Sequence, residues 1–314
     1  MNYRELGKTG IKLSEVGYGA AALFGKDVLG KQGITEEQAY ELISTSINTG
    51  VTFFDTGINY GYSEERLGRC LYQATKKGIV KREDLVIETK CGETVNADGS
   101  YGPYNWSADN LKKNLETSLK RLQLDYIDLF ATHGECDIRD VDGVIKVFEN
   151  FKSQGLIRAY GVNTFNTEYV DWVVKEKCFD YVMLDYNVMK QDREPQIDKL
   201  YNAGIGVIAG ASLGQSLYAK KPKLNRNDLW YALRSMFRFK YMRQKSKDYR
   251  FLNNFDGCTA NQLALRYVLD NKNITAAAFN TTNIDHLIEN LKSVDIKMPE
   301  EIRLRIKEAY KQGD

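Results

Sequence analysis

The chain has 314 residues, of which 43% are hydrophobic and 27% charged, and this globular composition excludes wholesale disorder. The formal net charge is only +2, so we expect no nucleic-acid partner recognised through overall charge. Because no run of about 18 apolar residues occurs and no apolar signal segment follows the first residues, we expect a cytoplasmic protein with no membrane partner.

Predicted strands and helices alternate along the chain. A hairpin over residues 3–13, with glycines in its turn, precedes a first buried strand at 16–19. The further strands are predicted at 51–54, 85–89, 126–131, 157–162, 181–184, 205–209 and 275–278. The helices are predicted at 35–48, 63–74, 107–121, 141–153, 167–175, 191–202, 259–269 and 283–291.

The number and character of the strands predict the fold class. The strands are apolar on both faces, as in parallel sheets that are covered by helices. Counting from Val16, eight of them alternate with helices, which favours a closed barrel over an open sheet. No Pro-rich or Ser-rich linker interrupts the pattern. We therefore predict an α/β fold, a single-domain (β/α)8 TIM barrel over residues 1–314 with an N-terminal β-hairpin.

A basic helical insertion follows strand 7 of the predicted barrel. Residues 220–250 contain eleven Lys or Arg and two Asp, a balance of +9, although the whole chain carries +2. Aromatic residues at helical spacing predict that one face docks on the body of the protein; they are Trp230, Phe237 and Tyr241. The basic face is either solvated or an anion-binding element at the active-site end of the barrel. The second interpretation requires free cations such as Arg234, Arg238 or Lys245.

Cysteine and histidine content limits the chemistry. The five cysteines are scattered, odd in number and without a CxxC pair, which predicts free and mostly inert thiols in a reducing compartment. His133 and His286 are the only histidines, and no Cys/His cluster has the spacing of metal ligands. We expect no metal site.

Four polar residues lie at or just after the ends of three predicted strands: Asp55, Tyr60, Lys90 and His133. In a parallel barrel these positions converge at one mouth. We expect Asp55 to pair with the buried Lys90, and Lys90 to favour the phenolate of Tyr60 and lower its pKa. Tyr60 would then donate or accept a proton, and His133 would orient a carbonyl or hydroxyl. The alternative is a set of satisfied polar groups without chemistry.

Two motifs resemble the signatures of the aldo-keto reductase family. Residues 54–68, which begin Phe-Asp-Thr and include Tyr60-Gly61, resemble the first signature, and residues 119–129 followed by His133 are similar to the second. Further matches at residues 4–10 and 289–290 extend the resemblance over nearly the whole chain.

The resemblance implies a function. It implies a (β/α)8 barrel that uses NADP or NAD to interconvert a carbonyl of an aldehyde, ketone or sugar with the alcohol. It also implies that Tyr60 is the general acid/base, assisted by Asp55, Lys90 and His133. Whether this small-molecule substrate is anionic or neutral stays open.

The cofactor side departs from the family pattern. Asn163 replaces the usual Ser, Met183 aligns with the usual Gln, Gly210 with a stacking aromatic, and His286 with the basic residue that contacts the 2′-phosphate. The cofactor-binding residues that the resemblance implies are Asn163, Thr164, Met183, Gly210, Ser212, Leu213, Asn280, Thr281, His286, Glu289 and Asn290. A weak NADPH preference follows. A second function stays open, a nucleotide-binding barrel with little turnover that acts as a redox-sensing or partner-binding subunit.

Overall fold

The computed structural model describes residues 1–23, 34–96, 100–219 and 240–312. The strands in these ranges are β1 (Tyr3–Glu5), β2 (Lys12–Ser14), β3 (Val16–Gly19), β4 (Phe53–Asp55), β5 (Val86–Cys91), β6 (Glu93–Val95), β7 (Tyr101–Tyr104), β8 (Ile127–Thr132), β9 (Ile157–Asn163), β10 (Tyr181–Asp185), β11 (Gly206–Gly210) and β12 (Ala276–Phe279).

The α-helices surround these strands. They are α1 (Glu36–Asn48), α2 (Ser63–Lys76), α3 (Ala108–Leu122), α4 (Val141–Ser153), α5 (Thr167–Glu176), α6 (Glu194–Ala203), α7 (Lys240–Lys245), α8 (Ala260–Asp270), α9 (Ile284–Leu291) and α10 (Glu300–Gln312). The predicted capping box of α1 is present, since Thr35 and Gln38 exchange hydrogen bonds.

Eight parallel strands close into a barrel, in the order β10-β11-β12-β3-β4-β5-β8-β9. The predicted (β/α)8 fold is therefore confirmed. The hairpin β1–β2 covers the amino-terminal end of the barrel, where its Leu6, Ile11 and Leu13 join the interior cluster of apolar side chains. Gly7, with φ +54°, lies so close to the backbone of Gly206 that a Cβ would clash there.

Apolar side chains form two separate layers. One fills the barrel and includes Phe53, Leu129 and Ile208, all fully buried. The other, larger layer lies between the strands and the surrounding helices, as shown by Phe130 against Phe148, with ring centroids 5.4 Å apart. Because alternate residues of each strand point inward, polar inward-facing residues near the carboxyl ends line one mouth.

Several described elements lie outside the sequence prediction. The hairpin β6–β7 follows β5, helix α10 ends the described chain, and α7 continues into a 3₁₀ segment over Ser246–Asn254. Most of the basic insertion, residues 220–239, lies outside the described ranges, including Trp230, Arg234, Phe237 and Arg238. The same holds for the Tyr241 side chain.

Lys245 corrects one expectation about the insertion. Its side chain is buried, and Nζ lies 4.1 Å from the ring centroid of Tyr310. A cation held against an aromatic face is stabilised there by the ring quadrupole. Lys245 is therefore not free to bind an anion at the mouth.

Within the described ranges, none of the helices combines the length and the apolar character that crossing a bilayer needs. No group of three or more Cys, His, Asp or Glu among the described residues is arranged to hold a metal ion. All five cysteines are free, and Cys70, Cys91 and Cys136 are buried.

Candidate active site

The carboxyl ends of β4, β5 and β8 bring the four predicted catalytic residues to one mouth of the barrel. Lys90 is 1% exposed; its Nζ donates to the Asp55 carboxylate and, at 2.8 Å, to the carbonyl oxygen of Thr56. The Tyr60 hydroxyl lies 3.3 Å from Nε2 of His133, and the Tyr60 ring centroid lies 5.4 Å from Lys90 Nζ. The predicted pairing of Asp55 with Lys90 is present. The catalytic roles stay predictions.

The ion pair keeps Lys90 charged. Burial alone lowers the pKa of Lys90, but the Asp55 carboxylate, with Tyr60 and Glu88, raises it above its ordinary value. An ammonium without a partner would be costly at this depth in the barrel, so Asp55 is required to hold the charge.

The pKa of Tyr60 corrects a second expectation. Burial raises the pKa of Tyr60 above its ordinary value, although Lys90 acts to lower it and Asp55 acts to raise it. The sequence predicts a lowered pKa because the nearby Lys90 ammonium favours the phenolate. In the folded chain, desolvation of the phenolate outweighs that ammonium, so Tyr60 holds its proton at neutral pH.

Glu93, which is not among the residues predicted from the sequence, lies behind His133. Its Oε1 is 3.0 Å from Nδ1 of His133 and accepts a hydrogen bond from Nδ2 of Asn59 at 2.6 Å. Asn114 of α3 donates to the backbone carbonyl of Glu93 at 3.1 Å and fixes the start of β6. Glu93 therefore places a carboxylate at the Nδ1 side of the His133 ring, while Nε2 faces the Tyr60 hydroxyl.

Glu88 is a second missed residue, and it lies inside the barrel beneath Lys90. It is fully buried, its Oε1 accepts from the Tyr181 hydroxyl at 3.0 Å, and it pairs in register with Asp55 across β4 and β5. The only available signal was a Glu two residues before Lys90, on the same face of a strand that is otherwise apolar.

A cavity of about 500 Å³ opens beside His133. It is lined by Tyr104, His133, Gly134, Glu135, Asn163, Thr164, Phe165 and Asn166. The side chains of Tyr104 and Phe165 are 51% and 57% exposed, while Glu135 accepts from Thr164 Oγ1 at 2.5 Å and from Asn166 Nδ2 at 3.2 Å. The wall therefore offers aromatic faces and a carboxylate next to the proton-bearing groups.

Residues 15–311 match the model of the Aldo/keto reductase family. The chain belongs to this family. A relative from Bacillus subtilis (strain 168), the uncharacterized oxidoreductase YqkF, is 25% identical over 100% of this chain and 98% of its own. The L-galactose dehydrogenase of Arabidopsis thaliana is 28% identical over 93% of this chain and 87% of its own.

A solved structure supports the fold. Aldo-keto reductase AKR11C1 from Bacillus halodurans, in its holo form, superposes with a TM-score of 0.79 at 23% identity, covering 98% of this chain and 96% of that one. Membership of the Aldo/keto reductase family makes this chain an oxidoreductase that uses a nicotinamide cofactor.

Part of the predicted cofactor set lies together at the ends of β9, β10 and β11. Asn163 pairs in register with Met183, whose carbonyl oxygen accepts from the Thr164 amide at 3.0 Å. Gly210 adjoins the Met183 side chain, with an added Cβ 3.6 Å from Met183 Cγ. Ser212 and Leu213 follow, and Ser212 Oγ donates to the Ala278 carbonyl at 2.7 Å. These residues border the mouth on the side opposite Asp55.

The rest of the predicted set lies around α9. The backbone carbonyl of Thr281 accepts a hydrogen bond from the Tyr18 hydroxyl at 2.8 Å. Asn280 and His286 are exposed. The Glu289 carboxylate accepts a hydrogen bond from the Thr259 hydroxyl at 2.6 Å. Asn290 is buried and its Oδ1 has no partner in the described part of the chain. An unsatisfied amide oxygen fits a nucleotide with amino donors. The residues present are therefore consistent with a nicotinamide dinucleotide.

Proposed function

We propose that this aldo-keto reductase interconverts a carbonyl and the corresponding alcohol, with Tyr60 as the general acid/base. One observation carries the proposal: the Tyr60 hydroxyl lies beside His133 and the buried Lys90–Asp55 pair. A general acid must reach the reacting oxygen and be protonated at the working pH. The raised pKa of Tyr60 supports a proton-donating role in carbonyl reduction at neutral pH.

Each residue contributes a separate part of the proton transfer. The cofactor, when bound, supplies or accepts the hydride. Tyr60 donates its proton to the substrate oxygen, and the Lys90 ammonium stabilises the phenolate that remains. Asp55 keeps Lys90 charged in its buried position. His133, whose Nδ1 lies 3.0 Å from Oε1 of Glu93, orients the substrate oxygen towards Tyr60.

We infer that NADP is preferred over NAD only weakly. His286 lies exposed in the first turn of α9, where its backbone amide donates a hydrogen bond to Oδ1 of Asn283 at 3.1 Å. The neighbouring Asp285 is also exposed and carries a negative charge. A neutral imidazole binds a phosphate far less well than the bidentate guanidinium of an arginine.

The cavity supports a neutral, hydroxyl-bearing carbonyl substrate. Glu93 and Glu135 carry carboxylates close to His133, and these disfavour an anionic substrate. Carboxylates and exposed aromatic faces are suited to hydroxyl groups and to the C–H faces of a sugar. The relative from Arabidopsis thaliana is named for a sugar, L-galactose. The insertion, which would favour an anion, lies mostly outside the described residues.

A cytoplasmic location is part of the proposal. All five cysteines are free, including the half-exposed Cys178 and Cys258, which suits a reducing compartment.

A steady-state assay with a matched pair of lysine variants tests the function. Cofactor absorbance is followed with neutral aldoses, simple aldehydes and carboxylate-bearing aldehydes, each with NADPH and NADH. We expect turnover that is fastest with neutral hydroxylated compounds and falls by a factor on the order of 10² in Lys90→Met. The control Lys112→Met removes a lysine that is 68% exposed on α3 and leaves turnover unchanged.

Two outcomes would contradict the proposal. Unchanged turnover in Lys90→Met would remove the role of the ion pair. Tight cofactor binding without turnover of any compound would favour the second function, a redox-sensing or partner-binding subunit.

A further inference from the structure

Glu88 is a buried acid that the proposed proton transfer does not use. Inward-facing positions alternate along β5, so Glu88 lies one layer below Lys90 in the barrel. The register of β4 and β5 places Asp55 directly opposite Glu88. Three ionisable side chains therefore share one small region: a lysine and two carboxyl groups.

The hydrogen bonds of this region are incomplete when both carboxyl groups are ionised. Glu88 Oε1 accepts from Tyr181 at 3.0 Å, but Oε2 is buried with no partner among the described residues. Asp55 already neutralises Lys90. A second carboxylate would give the cluster a net charge of about −1 without solvent, which is a costly state.

A proton on Glu88 provides a donor at the unpartnered oxygen and removes the excess negative charge. The strand register places the Glu88 and Asp55 carboxyl groups opposite each other, and as two carboxylates both can only accept hydrogen bonds. Once protonated, Glu88 becomes a donor to Asp55, and the pair carries a single negative charge that Lys90 balances. Two adjacent carboxyl groups commonly hold one proton for this reason.

We propose that Glu88 is a positioning residue for proton transfer: it holds a proton against Asp55 in the resting enzyme, and its ionisation controls how readily Tyr60 releases its own proton. This inference rests on the proposed role of Tyr60. Burial raises the pKa of Glu88 to about 8, and Asp55 adds to the rise while Lys90 and Tyr181 oppose it.

The consequence is that alcohol oxidation is slower at high pH than it would be without Glu88. The groups that face Glu88 are Asp55 from β4, Lys90 from β5 and Tyr181 from β10, with Tyr60 in the loop after β4. When Glu88 releases its proton to bulk water, the added negative charge disfavours the Tyr60 phenolate. The phenolate is the base that alcohol oxidation needs, so oxidation is restrained at high pH.

The substitution Glu88→Gln tests this role because Gln keeps the shape and the neutral state of the protonated acid. The measurement is the pH profile of kcat for alcohol oxidation. In the pH profile of Glu88→Gln, we expect the rate to rise at a pH about half to one unit lower than in the wild type. At a given pH on this rising part, oxidation should be about 3- to 10-fold faster than in the wild type. The control Glu15→Gln, a buried glutamate paired with Arg4 at 2.9 Å beneath the barrel, leaves the profile unchanged.

Infrared spectroscopy of the protein without cofactor gives a second measurement. The wild-type minus Glu88→Gln difference spectrum should contain the carbonyl stretch of a protonated carboxylic acid, which disappears as the pH rises past about 8. In Tyr181→Phe, which removes a donor to the carboxylate, this band should persist to higher pH.

The two measurements separate the inference from the function on which it rests. If Tyr60→Phe retains normal turnover, the proposed function is wrong, while the infrared band still reports the Glu88 proton. If the wild type turns over but Glu88→Gln has an identical pH profile, or the band is missing at neutral pH, the inference about Glu88 is wrong.

Discussion

Asp128→Ala should destabilise the barrel while leaving the chemistry of the folded enzyme intact. Asp128 lies in β8 within the motif that resembles the second family signature, and it is fully buried. Its carboxylate accepts from Arg82 Nη2 and Arg158 Nη1, both at 2.7 Å, and from the Ile87 amide at 2.9 Å. It therefore joins β8 to β5 and β9 at a distance from the mouth.

The magnitude follows from these contacts. Leaving the Ile87 amide without a partner costs about 1–3 kcal/mol, and loss of the bond to the mostly buried Arg82 costs about 1.5–3 kcal/mol. Arg158 is 40% exposed and regains water, so its bond contributes at most about 1 kcal/mol. Because such terms are not additive, we expect a loss of about 3–5 kcal/mol, close to that of breaking a buried ion pair.

Urea denaturation followed by tryptophan fluorescence measures this loss. The midpoint of thermal unfolding should fall by about 5–8 °C. The control Glu116→Ala removes a carboxylate that is 65% exposed on α3 and should change the free energy of unfolding by less than about 0.5 kcal/mol. Unchanged stability of Asp128→Ala, combined with a lost kcat per folded molecule, would refute the reasoning and give this motif a catalytic role.

Three further predictions concern the site and its pH dependence. Glu93→Gln should lower kcat about 10-fold, because His133 loses the carboxylate at Nδ1, and Glu93→Asp should recover part of the lost rate. Equal steady-state rates for Glu93→Gln and the wild type would contradict this. Dissociation constants for NADPH and NADH should differ by less than about 10-fold, because His286 stands where an arginine would bind the 2′-phosphate bidentately. A preference for NADPH of much more than about 10-fold would contradict this. The folded chain keeps the Glu88 proton that the unfolded chain releases. Its free energy of unfolding should therefore fall by up to about 1.4 kcal/mol per pH unit from about pH 5 to about pH 8. Urea titrations at several pH values should show that Glu88→Gln removes this slope.

The barrel and the four residues at its mouth were predictable from the sequence for a simple reason. The apolar strands and capping boxes depend on near neighbours in the chain, and parallel strands bring their carboxyl ends together. Lys90 and His133 could therefore be placed at one mouth from their positions after predicted strands.

Other features depend on contacts between distant segments. The proximity of Glu93 to His133 requires the hairpin β6–β7, which has no strong pattern in the sequence. The position of Glu88 opposite Asp55 depends on the register between β4 and β5, which no single segment specifies. The direction of the Tyr60 pKa shift depends on how far burial outweighs one nearby ammonium, and burial follows from the packed fold.

The most direct test of the role of Tyr60 is single-turnover hydride transfer in Tyr60→Phe. The matched control is Tyr62→Phe, since Tyr62 follows in the same loop and is 54% exposed. We predict that Tyr60→Phe slows hydride transfer by a factor on the order of 10² or more while the cofactor dissociation constant stays nearly unchanged, and that Tyr62→Phe resembles the wild type. Near-normal hydride transfer in Tyr60→Phe, with an aldehyde that the wild type reduces, would contradict the assignment of Tyr60 as the proton donor.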